Sequence, residues 1–241
     1  MSGDEAPHKP FDTRAPDYQE QLSRGLELSG ESKEYFARAR LAHLRGFWAE
    51  TGRPEPRTII DYGCGVGDVT VLLAELFPRA RVLGVDPSKT FVEQARSALR
   101  SDRVDFLPLE GYAPLAAGPG ELVHLNGVVH HVPPGERRDF FRALHASVAP
   151  RGLVALFDNN PWNPGTHLVM RRIPFDRDVL PVPAGRVARH LREAGLRVLR
   201  KRFLFYFPAA LRSLRPLERA LEGLPFGAQY ALYAERPDRG A

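Results

Sequence analysis

The run Ile59-Ile60-Asp61-Tyr62-Gly63-Cys64-Gly65-Val66-Gly67-Asp68 carries an apolar strand into a carboxylate, then glycine at every second position, then the start of an amphipathic helix. Glycines there permit positive φ and remove Cβ atoms, so a ligand can lie against bare backbone at the carboxyl end of the strand. Nicotinamide and flavin sites use G-x-G-x-x-G, whose last glycine packs a helix under a pyrophosphate. Asp68 occupies that place here, and an acid beside a pyrophosphate is repulsive. A phosphate-binding G-x-x-x-x-G-K-[ST] run does not occur. The turn therefore favours a cationic or zwitterionic ligand over a phosphorylated one.

Outward from the turn, short apolar runs alternate with helical patterns. Strands are expected at Thr58–Asp61, Arg81–Asp86, Val104–Leu109, Glu121–Asn126 and Leu153–Asp158, and helices at about Val66–Phe77, Ser88–Arg100 and Pro134–Val148. Thr90-x-x-Glu93 reads as a capping box for the second of these helices. This rhythm implies right-handed crossovers. A Pro/Asn-rich insert over about 160–185 interrupts it. A helix near Arg186–Ala194 follows, then two strand-like runs, Val198–Phe207 and Gly227–Arg236, that suit an antiparallel pair at the sheet edge. The expected fold is α/β and Rossmann-like: a seven-stranded, mostly parallel sheet with helices on both faces and an antiparallel C-terminal edge strand. Residues 1–16 read as a flexible N-terminus and 17–56 as a helical cap. The main domain then spans 57–241.

Asp86 ends the second strand nineteen residues after Gly67, where a carboxylate can accept from both hydroxyls of a ribose. With that residue in place the chain resembles the class I S-adenosylmethionine-dependent methyltransferases, whose first motif is an acid followed by G-x-G-x-G, matched by Asp61, Gly63, Gly65 and Gly67. The resemblance implies S-adenosylmethionine as cofactor, with the glycine backbone facing its amino acid part, Asp61 orienting the ammonium end and Asp86 the ribose. It extends the cofactor set to Cys64, Pro87, Asn126 and to Glu110-Gly111, which stand where the family commonly carries an acid that reads the adenine amino group. Phe11-Asp12-x-x-Ala15-x-x-Tyr18 is similar to the phrase that opens a lid in small-molecule members, with Tyr18 approaching the methionine end.

The acceptor is expected outside the carboxyl ends of the fourth and fifth strands. His130, His131 and Asp158 are the candidate proton-handling residues there, because methyl transfer sometimes requires deprotonation of the acceptor. A structural role for each of the three stays open. Asn159, Asn160, Trp162 and His167 form a candidate polar and aromatic acceptor rim. No metal is expected.

Composition narrows the function further. The 241 residues carry 34 Lys+Arg against 29 Asp+Glu, a formal +5. Between Arg186 and Arg219 stand ten basic and two acidic residues, so the remainder is net acidic and the chain is not built to coat nucleic acid. The basic and aromatic stretch 200–219 suits a solvated edge, a peripheral lipid surface or RNA. The single cysteine, Cys64, excludes an internal disulfide framework. No stretch approaches the roughly 18 apolar residues of a membrane span. The opening MSGDEAPHKP has no secretory pattern, so a cytoplasmic protein is expected. The expected function is methylation of a small natural-product or lipid-like acceptor. The alternatives are an RNA methyltransferase and a non-methylating protein of the same fold.

Overall fold

The computed structural model describes residues 18–112, 118–174, 176–177 and 179–238, without the side chains of residues 18, 19, 22 and 23. Residues 1–16, read as a flexible N-terminus, and the side chain of Tyr18 lie outside the described residues.

Seven strands form one sheet in the order β3-β2-β1-β4-β5-β7-β6. They are β1 (Thr58–Tyr62), β2 (Arg81–Asp86), β3 (Val104–Pro108), β4 (Gly120–Asn126), β5 (Val148–Asn159), β6 (Arg197–Leu204) and β7 (Gln229–Glu235). β1 to β5 pair in parallel, and β7 runs antiparallel between β5 and β6. The two C-terminal strands thus make the antiparallel edge, with β6 outermost. The chain winds from β1 out to β3 and then returns to the other side of β1 as β4. That reversal opens a crevice above the carboxyl ends of β1, β2 and β4.

Strands buried on both faces are mostly apolar, and helices cover each face. On one side α5 (Arg137–Ser147) and α7 (Ala184–Glu193) bury Phe141, Leu144, Val187 and Leu191 against Ile60, Val123, Leu125, Leu156 and Tyr230. On the other, α2 (Lys33–Glu50), α3 (Asp68–Leu76) and α4 (Lys89–Leu99) bury Leu44, Phe47, Leu73 and Val92 against Ile59, Val82, Phe106 and Phe157. Ser88, and not Thr90, caps α4, its side chain accepting from Phe91 N.

The helical cap expected over 17–56 divides in two. α2 is a layer of the sandwich: Phe47 stacks on Tyr233 of β7 with ring centroids 4.0 Å apart, and Leu44 is wholly buried. The short α1 (Tyr18–Leu26) instead packs on α6 (Pro164–Arg172), a helix within the 160–185 insert, where Gly25 meets Ile173. Proline suits the first turn of α6, and Asn163 caps it by accepting from Thr166 N. Among the described residues no helix is long and apolar enough to cross a membrane.

Candidate active site

The turn after β1 is held by the strand beside it. Gly63 N and Cys64 N both donate to Val85 O of β2, and Gly65 N donates to Asp86 Oδ2 at 2.8 Å. The other oxygen of Asp86 accepts from Ser88 N at 2.9 Å. One carboxylate thus ties the glycine turn to the start of α4.

Above the turn lies a cavity of about 600 Å³. Of the expected site residues, Gly63, Gly65, Asp86, Pro87, Asn126 and His131 line it. It also takes Tyr62, Phe91, Leu109, Tyr112 and Phe140, together with Glu136 and Asp139. Tyr62 ends β1 and Phe91 lies on α4, whereas Asp139 and Phe140 of α5, Glu136 just before it, and Tyr112 come from positions that no motif marks. A Cβ built on Gly65 would meet no atom within 4 Å, so bare backbone faces open space. Among the described residues, Asn126 Oδ1 is buried without a hydrogen-bond partner. Buried polar atoms of this kind are normally satisfied, and unsatisfied ones in a cavity wall mark where a ligand donates or accepts. Burial, followed by the neighbouring Tyr112, pushes the Tyr62 phenol up to about 12, so its hydroxyl stays neutral.

Several expected cofactor contacts are placed elsewhere. Asp61 is buried beneath the turn, with Oδ1 2.8 Å from His124 Nδ1 and Oδ2 accepting from Thr70 Oγ1 at 2.7 Å. Its two oxygens brace β1 against β4 and α3, and it does not line the cavity. Gly67 opens α3 and packs against Phe106. Cys64 points under the turn; burial, then Asp61 and Asp86, push its thiol up and out of the reactive range. Glu110 is largely in solvent beside Lys89, 2.9 Å away, and does not line the cavity. Gly111 is likewise absent from the lining.

The proton-handling trio is also rearranged. Asp158 is fully buried, accepting from Val129 N, Asn159 N and His130 Nδ1. It anchors the single 3-10 turn Val129–His131 from behind and offers no face to the cavity. His130 is buried with it. Of the three, His131 alone reaches the wall. Asp176, from the segment after α6, closes the cluster with Oδ1 3.2 Å from His131 Nε2 and 3.6 Å from His130 Nε2. Burial opposes a charge on His130, but Asp158 and Asp176 outweigh it and push the imidazole up to about 10. Burial and the charged His130 hold His131 below its ordinary value. Asp176 is held down to about 2, because its contacts with the two imidazoles outweigh its burial.

The expected acceptor rim proves to be a junction between β5, α6 and β7. Asn160 is buried and donates to Pro225 O and Gly227 O. Asn159 accepts from Gln229, and His167 Nε2 lies 2.8 Å from Pro161 O. Trp162 is 65% exposed. None of the four lines the cavity. The basic stretch on β6 is mostly paired within the molecule: Arg200 with Glu50 and over the Phe47 ring, Arg202 with Glu222. Those arginines brace the edge strand against neighbouring elements.

Residues 60–154 match the family model for a methyltransferase domain. The chain is 33% identical over 120 residues to trans-aconitate 2-methyltransferase of Variovorax paradoxus (strain S110), covering 50% of this chain and 45% of that protein. It is 31% identical over 157 residues to the enzyme of that name from Azoarcus sp. (strain BH72), covering 62% and 60%. The match thus spans about half the length of these curated relatives. The fold is shared with magnesium protoporphyrin IX methyltransferase from Synechocystis PCC 6803, at a TM-score of 0.62 and 16% identity over 94% of this chain and 96% of that one.

Proposed function

We infer, from the premise that residues 60–154 form a methyltransferase domain of the class I S-adenosylmethionine-dependent family, that the whole chain methylates a small molecule. The observation that carries this reading is the pairing of Gly65 and Asp86 at the mouth of the cavity. Bare backbone that faces open space at Gly65 and the carboxylate bonded to its amide stand side by side in the cavity lining.

The residues present fit the cofactor. Asp86 can accept from ribose hydroxyls, the glycine turn leaves room for the amino acid end, and the unpartnered Asn126 Oδ1 can accept from a donor on the ligand. When bound, S-adenosylmethionine supplies an electrophilic methyl carbon on a sulfonium. The chain's own contribution is to hold an acceptor in line and to keep water out, with Tyr62, Phe91, Leu109, Tyr112 and Phe140 providing the apolar wall. His130 and Asp158 act as positioning residues for the 3-10 turn that presents His131. Methyl transfer here rests on alignment and not on a buried base.

The acceptor is a neutral or cationic molecule with apolar surface. Glu136 and Asp139 line the cavity, and no Lys or Arg lines it among the described residues. A tricarboxylate such as trans-aconitate would meet repulsion without a compensating cation. Lipid-like and aromatic natural products suit the wall better.

Calorimetry with S-adenosylmethionine tests the cofactor site. Asp86→Ala should weaken binding by about 1.5–3 kcal/mol, the scale of hydrogen bonds to a charged group. Unchanged affinity in a variant that still unfolds cooperatively would refute this placement. Release of S-adenosylhomocysteine against a panel of neutral, cationic and polycarboxylate acceptors tests the acceptor class, and turnover confined to polycarboxylates would overturn it.

A further inference from the structure

The cluster behind the His131 wall has the composition and spacing of a metal site. We propose that the chain binds one first-row divalent transition ion, Zn²⁺ in the first instance, through His130 Nε2, His131 Nε2 and a carboxylate oxygen of Asp176. One candidate ligand atom from each residue lies within 4.8 Å of the other two. The Asp176 Oδ1 separations of 3.2 Å and 3.6 Å from the two ring nitrogens bracket the spacing a tetrahedral centre imposes. With metal–ligand bonds of about 2.0–2.1 Å, neighbouring ligands of such a centre stand about 3.3 Å apart.

Two further observations point to a cation between these atoms. Asp176 Oδ1 is buried and receives no hydrogen bond of good geometry. His130 is engaged at Nδ1 by Asp158, so its other nitrogen is the one turned towards Asp176. A carboxylate bonded to the far nitrogen of a ligating histidine is the usual outer support of such sites, fixing the tautomer and raising the basicity of the ring. His130 Nε2 and Asp176 Oδ1 thus face each other across 3.6 Å, a gap that a proton or a metal ion can bridge, and the titration below separates the two. The mixed imidazole and carboxylate donor set selects zinc and its neighbours over magnesium or calcium. Three protein ligands leave a fourth position for water or a bound molecule. The ion would also fasten the segment around Asp176, after α6, to the turn after β4.

This inference rests on the geometry of the cluster and not on methyl transfer, so it is tested without cofactor or acceptor. The untagged full chain is stripped with a chelator and titrated with Zn²⁺ against a chromophoric competitor. One equivalent should bind with a Kd tighter than about 1 μM. Asp176→Ala and His131→Ala should each weaken binding by at least about 100-fold, and Asp158→Asn by about 10–100-fold through the outer contact. His43→Ala and His190→Ala, which alter two other histidines near carboxylates, should leave it unchanged. Co²⁺ bound to the unaltered chain should show intense visible bands of a four- or five-coordinate ion, a readout that needs no variant. Failure of the native chain to bind Zn²⁺, equal affinity in Asp176→Ala, or a weak octahedral Co²⁺ spectrum would each show that the three residues hold one another by ion pairing alone.

Discussion

Gly65→Ala should cost at least about 100-fold in S-adenosylmethionine affinity, about 2.7 kcal/mol, while leaving the fold nearly intact. Both halves of that expectation come from the space around one missing Cβ. The Gly65 backbone has φ +54°, where an L side chain costs about 1–2 kcal/mol. No protein atom lies within 4 Å of the added carbon, so stability suffers no further. The residue lines the cavity, however, and the new methyl would occupy the surface where a ligand meets bare backbone. Gly67→Ala should behave in the opposite way. Its φ is +86°, and its Cβ would fall 2.6 Å and 2.8 Å from ring atoms of the buried Phe106. Strain and overpacking together should destabilise the fold by about 2–5 kcal/mol. Chemical denaturation and calorimetry on both variants separate the effects. Normal cofactor affinity in a folded Gly65→Ala chain would place the cofactor elsewhere.

The contrast between these glycines shows which parts of the site could be read in one dimension. The turn, the strand before it and Asp86 are local features: an apolar run, glycine spacing and an acid at the next strand tip. Each is fixed by backbone geometry within a few residues, and the structure holds them together as expected. Asp61 shows where local reading stops. It precedes the glycines as the family motif does, but its direction was settled by Thr70 on α3 and by His124 on β4. His124 lies 63 residues away and comes alongside only through strand register.

The same limit governs α2 and the histidine cluster. Nothing in the apolar spacing of residues 33–50 distinguishes a lid from a sheet-covering helix. Tyr233, from the last strand, makes the difference by stacking on Phe47. Asp176 sits in an aperiodic insert 45 residues beyond His131, so no spacing rule could link them. Glu110 occupies the acid's motif position with a longer side chain, and that side chain stands in solvent beside Lys89. The legible part of the site is the part held by neighbouring backbone. The rest depends on partners that only the topology brings near.

Asp158→Ala should lower the unfolding free energy by about 3–5 kcal/mol, the cost of leaving one partner of a buried pair alone. The carboxylate is wholly buried and accepts from two backbone amides as well as from His130, so its loss strands three donors at once. The pair also predicts how stability of the metal-free chain varies with pH. His130 is raised from 6.5 to about 10 in the folded state, so its contribution is fully present below about pH 6.5 and is lost as pH rises through about 10. Asp176 is depressed from 3.8 to about 2, so its contribution is present above about pH 3.8 and disappears as pH falls through about 2. Urea denaturation of chelator-treated protein between pH 6 and 10 should therefore show stability declining towards the alkaline end. Asp158→Asn removes the main charge that holds the proton on His130, so most of that alkaline decline should vanish. A flat profile in the unaltered chain would mean that His130 is neutral when folded, and that its bond to Asp158 is that of an uncharged imidazole.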